Sequence, residues 1–184
     1  MDRFARVVLG YHGCDPNFAE ALIRGEAAID EWRPSANDYD WLGHGIYFWE
    51  FAPERAKEWS AKKGVIGAVI QLGNCLDFSD VESADLLADH FQVVSQVRED
   101  KNEPLPQNRG KRRDLDCLVI NDLVSSLNRS GDYRIQTLRC PFLEGSPIFP
   151  GSSILRESHV QIAVLDKSCI LGVFRPNPRF DDRR

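Results

Sequence analysis

Two short apolar segments, each beside glycine, constrain the fold of this chain more than any other feature. The segment Arg6 to Tyr11 is rich in Val and Leu and ends at His12-Gly13, which favours a strand buried on both faces. The segment Ile46 to Phe51 is strongly β-prone and follows Gly43-His44-Gly45. We therefore expect two core strands, one with a histidine at its end and one that carries Tyr47, 35 positions later.

The stretch between these strands predicts one helix and one long loop. Asp15 suits an N-cap, Pro16 a first helical turn and Gly25 a C-terminal stop, so a helix is expected over about residues 16 to 24. Residues 30–45 hold a high density of Pro, Ser, Asn, Asp and Gly together with three aromatic residues, which indicates an ordered loop.

Later segments alternate between helical and strand patterns without an internal repeat. We expect helices at Pro53–Lys63, from Asp80 to about Val97 and from Asp116 to Leu127, and strands at Val65–Leu72, His159–Leu165 and Ile170–Phe174. Asp166-Lys167-Ser168 is short enough to join the last two strands as a hairpin. This order favours a single α+β domain with a split, mixed sheet over residues 1–175, followed by a polar tail at 176–184.

The composition is ordinary for a globular protein. The chain is 42% hydrophobic and 28% charged, and no run approaches the roughly 20 apolar residues that cross a bilayer. The N-terminal residues do not resemble a signal peptide, so a cytoplasmic protein without a membrane partner is expected. Five cysteines form no Cys-x-x-Cys pair and mostly adjoin apolar runs, which predicts buried thiols and neither a disulfide framework nor a metal site.

The charge distribution combines an acidic balance with one basic cluster. A net charge of −5 argues against a broad, sequence-independent grip on nucleic acid, which normally needs a basic surface. The cluster Arg109-Gly110-Lys111-Arg112-Arg113 departs from this balance. It suits either contact with phosphates or an acidic partner, or a solvated loop that balances Glu99, Asp100 and Glu103.

The two glycine-flanked segments are most informative in combination. A histidine at a strand end can donate or accept a hydrogen bond at a cleft, and two glycines before a strand usually mark a turn. Together, His12-Gly13, the intervening helix and Gly45-Ile46-Tyr47-Phe48 resemble the ADP-ribosyltransferases of the poly(ADP-ribose) polymerase and diphtheria-toxin clade in order, spacing and local chemistry. The resemblance implies a single-domain microbial member of that fold, with split sheets that form a central NAD cleft flanked by helices.

The resemblance also implies how NAD, the co-substrate, is bound. Tyr47 stacks on the cationic nicotinamide, where the attraction of a cation to a ring contributes on the order of 0.5 to 2 kcal/mol. The Gly13 backbone bonds the carboxamide, and His12 bonds an adenosine ribose hydroxyl. Trp59, twelve residues after Tyr47, is the counterpart of the family's second nicotinamide-stacking aromatic, and the alternative is that it faces the core. The implied NAD contacts are His12, Gly13, Ser35, Gly45, Tyr47 and Trp59.

The family's third element, a glutamate at the start of a late strand, has two competing matches. Glu157 is the acid near the expected strand, whereas alignment of the following apolar run puts Gln161 at the glutamate position. Glu157, His159 and Gln161 alternate and so face one side of an extended segment. We take Glu157 as the catalytic acid, because neutral glutamine stabilises a developing cation less well. The alternatives are a site centred on Gln161 or His159, or a solvent-facing side of the strand; His12 and Tyr47 complete the catalytic candidates.

The function that the resemblance implies is NAD-dependent mono-ADP-ribosylation. Nicotinamide leaves without help from a metal, and ADP-ribose passes to a protein or nucleic-acid acceptor. An intracellular toxin, a toxin–antitoxin component, an effector delivered into a target cell and a defence enzyme are compatible settings, with an antitoxin or immunity protein as partner. The alternatives are an NAD glycohydrolase, in which water replaces the acceptor, and a non-catalytic module that binds NAD, ADP-ribose or RNA ends.

Overall fold

Seven strands and four α-helices make up the described part of the chain, which in this computed structural model comprises residues 6–60, 64–131 and 134–177. The elements are β1 (Val7–Gly13), α1 (Pro16–Arg24), β2 (Ile46–Glu50), α2 (Pro53–Trp59), β3 (Val65–Gln71), β4 (Cys75–Asp77), α3 (Val81–Asp100), α4 (Asp114–Ser130), β5 (Thr137–Phe142), β6 (His159–Val164) and β7 (Ile170–Phe174). Within these ranges, no helix has both the length and the apolar character to span a bilayer.

The strands form one mixed sheet in the order β4-β5-β6-β2-β1-β3-β7. β4 and β5 are parallel, and every other neighbouring pair in this sheet of described strands is antiparallel. The predicted α+β class and the mixed sheet are therefore confirmed.

Side chains on the two faces of the sheet pack into separate cores. Ile162 and Val164 of β6 join a cluster with Phe48 and α1, while Ala163 between them joins a cluster with α4. This alternation follows from the period of two in a strand. Helices α1 and α4 therefore cover opposite faces, and the central strands are buried between them.

β1 and β2 are paired over a short length and then diverge. Their register comprises the pairs Gly10–Glu50 and Tyr11–Trp49, whereas β1 pairs with β3 along its whole length. The end of β1 that carries His12 therefore separates from β2. The sequence predicted split sheets. The described strands instead form one continuous sheet, in which β1 and β2 separate at this end.

Local sequence signals located the first helix correctly. Asp15 accepts hydrogen bonds from the backbone N–H groups of Asn17 and Phe18, and Gly25 follows the helix with a φ of 71°. Both caps act within a few residues of the chain, which is why the sequence alone revealed them.

The ends of later helices differ by a few residues from the expectation. The helix α2 ends at Trp59, and residues 61–63 of its predicted extension lie outside the described residues. The helix α4 runs from Asp114 to Ser130, longer than the predicted segment at both ends. Residues 178–184 of the predicted tail also lie outside the described part of the chain.

One expectation about the C-terminal half was wrong, and one strand there was not predicted. β6 pairs with β2 and β5, while β7 pairs with β3 at the far edge, so the predicted hairpin does not form. A short 3-10 turn at Lys167–Cys169 leads into β7 instead. β5 was not predicted, because the Pro- and Gly-rich segment that starts at Cys140 obscured its strand pattern.

The five cysteines are free thiols, and the predicted burial is confirmed for three of them. Cys75, Cys117 and Cys169 are buried, and the other two are half-buried. Burial raises the pKa of the Cys75 and Cys169 thiols to about 11, so both stay protonated at neutral pH.

Truncation of a fully buried strand residue is expected to destabilise the fold strongly. Leu138 lies on β5, has no exposed surface and belongs to the core beside α4. Leu138→Ala should lose about 2–5 kcal/mol of unfolding free energy, because the missing side chain leaves a cavity. Urea unfolding measures the loss. The matched control, Leu171→Ala on the exposed side of β7, should lose under about 1 kcal/mol, and equal losses would contradict this core.

Candidate functional site

A cavity of about 360 Å³ lies where β1 and β2 diverge. Residues from β1, β2, α2, β6 and the loop between α1 and β2 line it, although these segments are far apart in the sequence. The residues of the sequence-predicted site that belong to the lining are His12, Ser35, Gly45, Tyr47, Trp59 and Gln161.

His12 spans the gap between β1 and β2. Its Nδ1 lies 2.6 Å from the carbonyl oxygen of Tyr47, and its Nε2 accepts a hydrogen bond from Trp32 Nε1 at 3.4 Å. Because a carbonyl oxygen only accepts, Nδ1 carries the proton, and burial lowers the pKa of the ring and keeps it neutral. Both ring nitrogens thus have a hydrogen-bond partner within the protein. A ligand hydroxyl reaches Nε2 only if it displaces the long hydrogen bond from Trp32.

Gly13 is required by the packing of α2. A Cβ atom at this position would lie 2.5 Å from Ser60 Cβ and 2.6 Å from the carbonyl oxygen of Ala56. The N–H of the next residue, Cys14, donates to the carbonyl oxygen of Gly64 beside β3. Since successive residues of a strand direct their backbone groups to opposite sides, the N–H and C=O of Gly13 point toward the gap beside β2. Gly13 itself is not among the residues that line the cavity.

Tyr47 forms part of the cavity wall, and the loop before β2 holds its hydroxyl. The hydroxyl donates to the carbonyl oxygen of Gly43 at 2.6 Å and accepts from the N–H of Leu42 at 2.7 Å. Burial raises the pKa of this phenol far above its usual range, so it stays protonated. Tyr47 therefore offers a ligand its ring, while its hydroxyl is already satisfied.

Trp59 and Trp49 form an aromatic pair beside the cavity. Trp59 at the end of α2 is 58% exposed, and its ring centroid lies 5.7 Å from that of Trp49. The alternative that Trp59 faces the core is therefore wrong. Trp49, which the sequence did not single out, is 3% exposed, and its Nε1 has no hydrogen-bond partner among the described residues.

Gln161 lies directly beside Trp49 in the sheet. The register of β2 and β6 pairs these two residues, and both line the cavity. Gln161 is 5% exposed, and its Oε1 also lacks a hydrogen-bond partner in the described part of the chain. A buried polar atom left unsatisfied costs about 1–3 kcal/mol. Two neighbouring residues of the cavity wall thus each carry a buried polar atom that lacks a partner among the described residues.

His159 and Gln161 share a buried face of β6. His159 Nδ1 lies 2.7 Å from the backbone carbonyl oxygen of Glu157, and His159 Nε2 lies 2.9 Å from Gln161 Nε2. Because both His159 and Gln161 are buried, the alternative of a solvent-facing strand side is wrong for them.

Glu157 lies outside the cavity lining. It precedes β6, its side chain is 46% exposed, and its carboxylate lies 3.8 Å from Arg55 Nη1. Arg55 also pairs with Glu58 at 2.6 Å and with Glu144 at 3.1 Å. The structure therefore places Glu157 in an ion-pair cluster around Arg55, and Gln161 at the cavity wall.

The loop between α1 and β2 adds charged groups that the motifs did not single out. Asp40 is buried and accepts hydrogen bonds from the backbone N–H of Asn37 at 3.0 Å and from its Nδ2 at 3.2 Å. Of the described residues that line the cavity, Asp40 is the one carboxylate and Arg33 the one guanidinium. The turn-forming composition of residues 30–45 predicted this loop. It did not indicate which side chains of the loop face the cavity.

The basic cluster at residues 109–113 packs against this same loop. The guanidinium of Arg112 lies 4.2 Å from the ring centroid of Tyr39, and that of Arg113 lies 4.4 Å from the ring centroid of Trp41. Both rings belong to cavity-lining residues. Two cations of the cluster therefore support the cavity wall through cation–π contacts.

The chain matches no protein-family model, no curated protein and no solved structure. The resemblance to ADP-ribosyltransferases therefore stays a prediction from the residues that carry it.

Acidification is expected to destabilise the protein through two buried, neutral histidines. Burial lowers the pKa of both His12 and His159 from 6.5, so the unfolded chain binds these protons more readily than the folded protein. The unfolding free energy should be at its full value above pH 6.5 and fall as the pH drops below it. Urea titrations at about pH 7.5 and about pH 5.5 measure this fall.

The matched control is His12→Asn, because the amide nitrogen of asparagine can donate to the Tyr47 carbonyl oxygen and does not titrate. This variant should show a smaller fall between the two pH values than the parent protein. Equal falls in both proteins would contradict a neutral, buried His12.

Proposed function

We propose that this protein is an NAD-dependent mono-ADP-ribosyltransferase of the poly(ADP-ribose) polymerase and diphtheria-toxin type, with the corresponding fold. NAD occupies the cavity between β1 and β2, its nicotinamide–ribose bond is cleaved, and ADP-ribose passes to a protein or nucleic-acid acceptor. The observation that carries the proposal is that His12, Tyr47 and Gln161, from three remote segments, line one cavity. The resemblance further implies a toxin, effector or defence enzyme with an antitoxin or immunity protein as partner.

The aromatic residues of the cavity support a nicotinamide site. Tyr47 lies in the wall, and the exposed ring of Trp59 stands beside Trp49. The nicotinamide of NAD is flat and cationic, and a cation over an aromatic ring gains about 0.5–2 kcal/mol. The unsatisfied Nε1 of Trp49 and Oε1 of Gln161 supply a donor and an acceptor for ligand amide or hydroxyl groups.

Arg33 supports a site for the pyrophosphate of NAD. It lines the cavity, and no ion pair joins it to another residue of the described ranges. A guanidinium binds phosphate oxygens through two parallel hydrogen bonds, which gives both strength and direction. Arg33 is therefore the residue that we assign to the pyrophosphate.

The chemical step moves positive charge within the ligand. The bond between ribose C1′ and the nicotinamide nitrogen breaks, its electron pair leaves with nicotinamide, and the positive charge passes to the ribose. The acceptor nucleophile then attacks C1′ and gives up its proton. Groups that bind this cationic state more strongly than NAD accelerate the step. Asp40 supplies negative charge inside the cavity, and Gln161 supplies a neutral acceptor for a ribose hydroxyl, whereas Glu157 is paired with Arg55.

A neutral residue at the glutamate position favours one alternative. Gln161 stabilises a cation less than a carboxylate does, which suits a non-catalytic module that binds NAD, ADP-ribose or RNA ends. An NAD glycohydrolase uses the same cavity and differs only in that water is the nucleophile. Incubation with labelled NAD and a cell lysate separates the three: labelled macromolecule supports transfer, free ADP-ribose supports hydrolysis, and bound intact NAD supports a binder.

Substitution of Gln161 tests its role as an acceptor. Gln161→Met keeps the size and removes the hydrogen bonds, so NAD affinity should fall about tenfold, the equivalent of one hydrogen bond in a buried site. Gln161→Glu keeps an acceptor and adds a charge, so the release of nicotinamide should be at least as fast as in the parent protein. Calorimetric titration with NAD and release of labelled nicotinamide measure the two effects.

The matched control for this substitution is Gln96→Met on the exposed side of α3, away from the cavity. Its NAD affinity should equal that of the parent protein. If Gln161→Met bound NAD as tightly as this control, Gln161 would not contact the ligand.

The two candidate acids can be separated in the same assay. Asp40→Asn removes the carboxylate that lines the cavity and should slow nicotinamide release about tenfold or more, because it weakens stabilisation of the cation. Glu157→Gln removes a carboxylate outside the lining and should have the smaller effect. The reverse order would return the role of the catalytic acid to Glu157.

A further inference from the structure

His159 and Gln161 form a hydrogen-bonded pair in a buried environment. The ring centroids of Trp41 and Phe142 lie 6.3 and 5.9 Å from that of His159. His159 Nδ1 lies 2.7 Å from the carbonyl oxygen of Glu157, and its Nε2 lies 2.9 Å from Gln161 Nε2. Each nitrogen of the ring therefore has one hydrogen-bond partner.

The carbonyl oxygen of Glu157 determines which nitrogen of His159 carries the proton. A carbonyl oxygen only accepts, so Nδ1 donates to it, and Nε2 of the neutral ring keeps its lone pair. That lone pair accepts a hydrogen bond from the NH₂ group of Gln161. Half a turn of the amide would instead set Gln161 Oε1 against the lone pair, and two acceptors at this distance repel each other.

This arrangement directs the other end of the Gln161 amide away from His159. Oε1 is buried without a partner among residues of the described ranges, and Gln161 lines the cavity. The unsatisfied Nε1 of Trp49 belongs to the neighbouring residue of the sheet register. A hydroxyl group can satisfy an atom of either kind, because its hydrogen donates to an acceptor such as Oε1 and its oxygen accepts from a donor such as Nε1.

We propose that His159 is a positioning residue that holds the Gln161 amide with its carbonyl oxygen toward the ligand, so that the cavity selects a hydrogen-bond donor such as a ribose hydroxyl. This role rests on the proposed function for the identity of the ligand, but not for the direction of the amide. A carboxylate at position 161 would accept in either orientation. A glutamine needs a neighbour that decides which of its two ends faces the ligand.

The direction of the amide depends on the protonation of His159. Burial lowers the pKa of this ring, so it is neutral at neutral pH. In the imidazolium form both nitrogens donate, and the Gln161 amide must then turn its oxygen to Nε2 and its NH₂ group to the cavity. Affinity for a hydroxyl-donating ligand is therefore full above the pKa of His159 and falls as the pH drops through it.

The surroundings of His159 include groups of both charges. Glu144 Oε2 lies 3.6 Å from Nδ1 and favours the imidazolium, while the guanidinium of Arg55 disfavours it. The groups that face the ring are the carboxylates of Glu144 and Glu157, the guanidinium of Arg55, the amide of Gln161 and the uncharged rings of Trp41 and Phe142.

Nitrogen NMR of protein with isotope-labelled histidine tests the orientation without a ligand. At about pH 7.5 we expect His159 with a protonated Nδ1 and an unprotonated Nε2. Its signal is assigned by its loss in His159→Phe or, if that variant does not fold, by through-bond couplings in the parent protein. Gln161→Glu should protonate Nε2, because a carboxylate only accepts. An Nε2–H tautomer in the parent protein, or an unprotonated Nε2 in Gln161→Glu, would overturn the proposal.

NAD titrations at about pH 7.5 and about pH 5.5 test the consequence for the ligand. The affinity of the parent protein should fall on acidification, by up to about tenfold, because an accepted hydrogen bond is replaced by two opposed donors. The fall should persist in His12→Asn, which removes the histidine that lines the cavity, and disappear in His159→Phe. A fall of equal size in His159→Phe would overturn the role of His159. If NAD bound at neither pH, the proposed function would fail, and the tautomer of His159 would still decide the direction of the amide.

Discussion

The hydrogen bond between His12 Nδ1 and the carbonyl oxygen of Tyr47 secures the part of the sheet on which the cavity depends. β1 and β2 share two register pairs, and beyond them this 2.6 Å bond ties the diverging strands at a set separation. A neutral imidazole suits the position, because a buried charge would carry a desolvation cost that this contact does not repay. The gap that results admits side chains from β6, α2 and the loop before β2.

The wall of this gap contains polar atoms that the protein itself leaves unsatisfied. Trp49 and Gln161 oppose each other in the sheet register, and each has a buried polar atom without a partner among the described residues. Protein interiors normally satisfy such groups, so these two atoms indicate a place for a ligand. His159 completes the arrangement from the side away from the cavity, where it decides which end of the Gln161 amide the ligand meets.

Structural features that depend on nearby residues could be predicted from the sequence, whereas features that depend on distant residues could not. The caps of α1 at Asp15 and Gly25 act within a few residues, and the alternation of His159 and Gln161 follows from strand geometry alone. β5 escaped detection because proline and glycine near Cys140 mask its pattern. The predicted hairpin between β6 and β7 was wrong, because strands that are adjacent in the sequence need not be adjacent in the sheet.

By itself, the sequence determined the α+β class, the two strands that carry His12 and Tyr47, and the residues that compete for the third motif. These properties follow from side-chain periodicity and backbone preference, which every chain carries locally. Only the tertiary structure decided that Gln161, and not Glu157, reaches the cavity, and that Asp40 and Trp49 join it there. The physical reason is that a side chain's access to the cavity depends on which strands pair and where they diverge, and the whole sheet sets both.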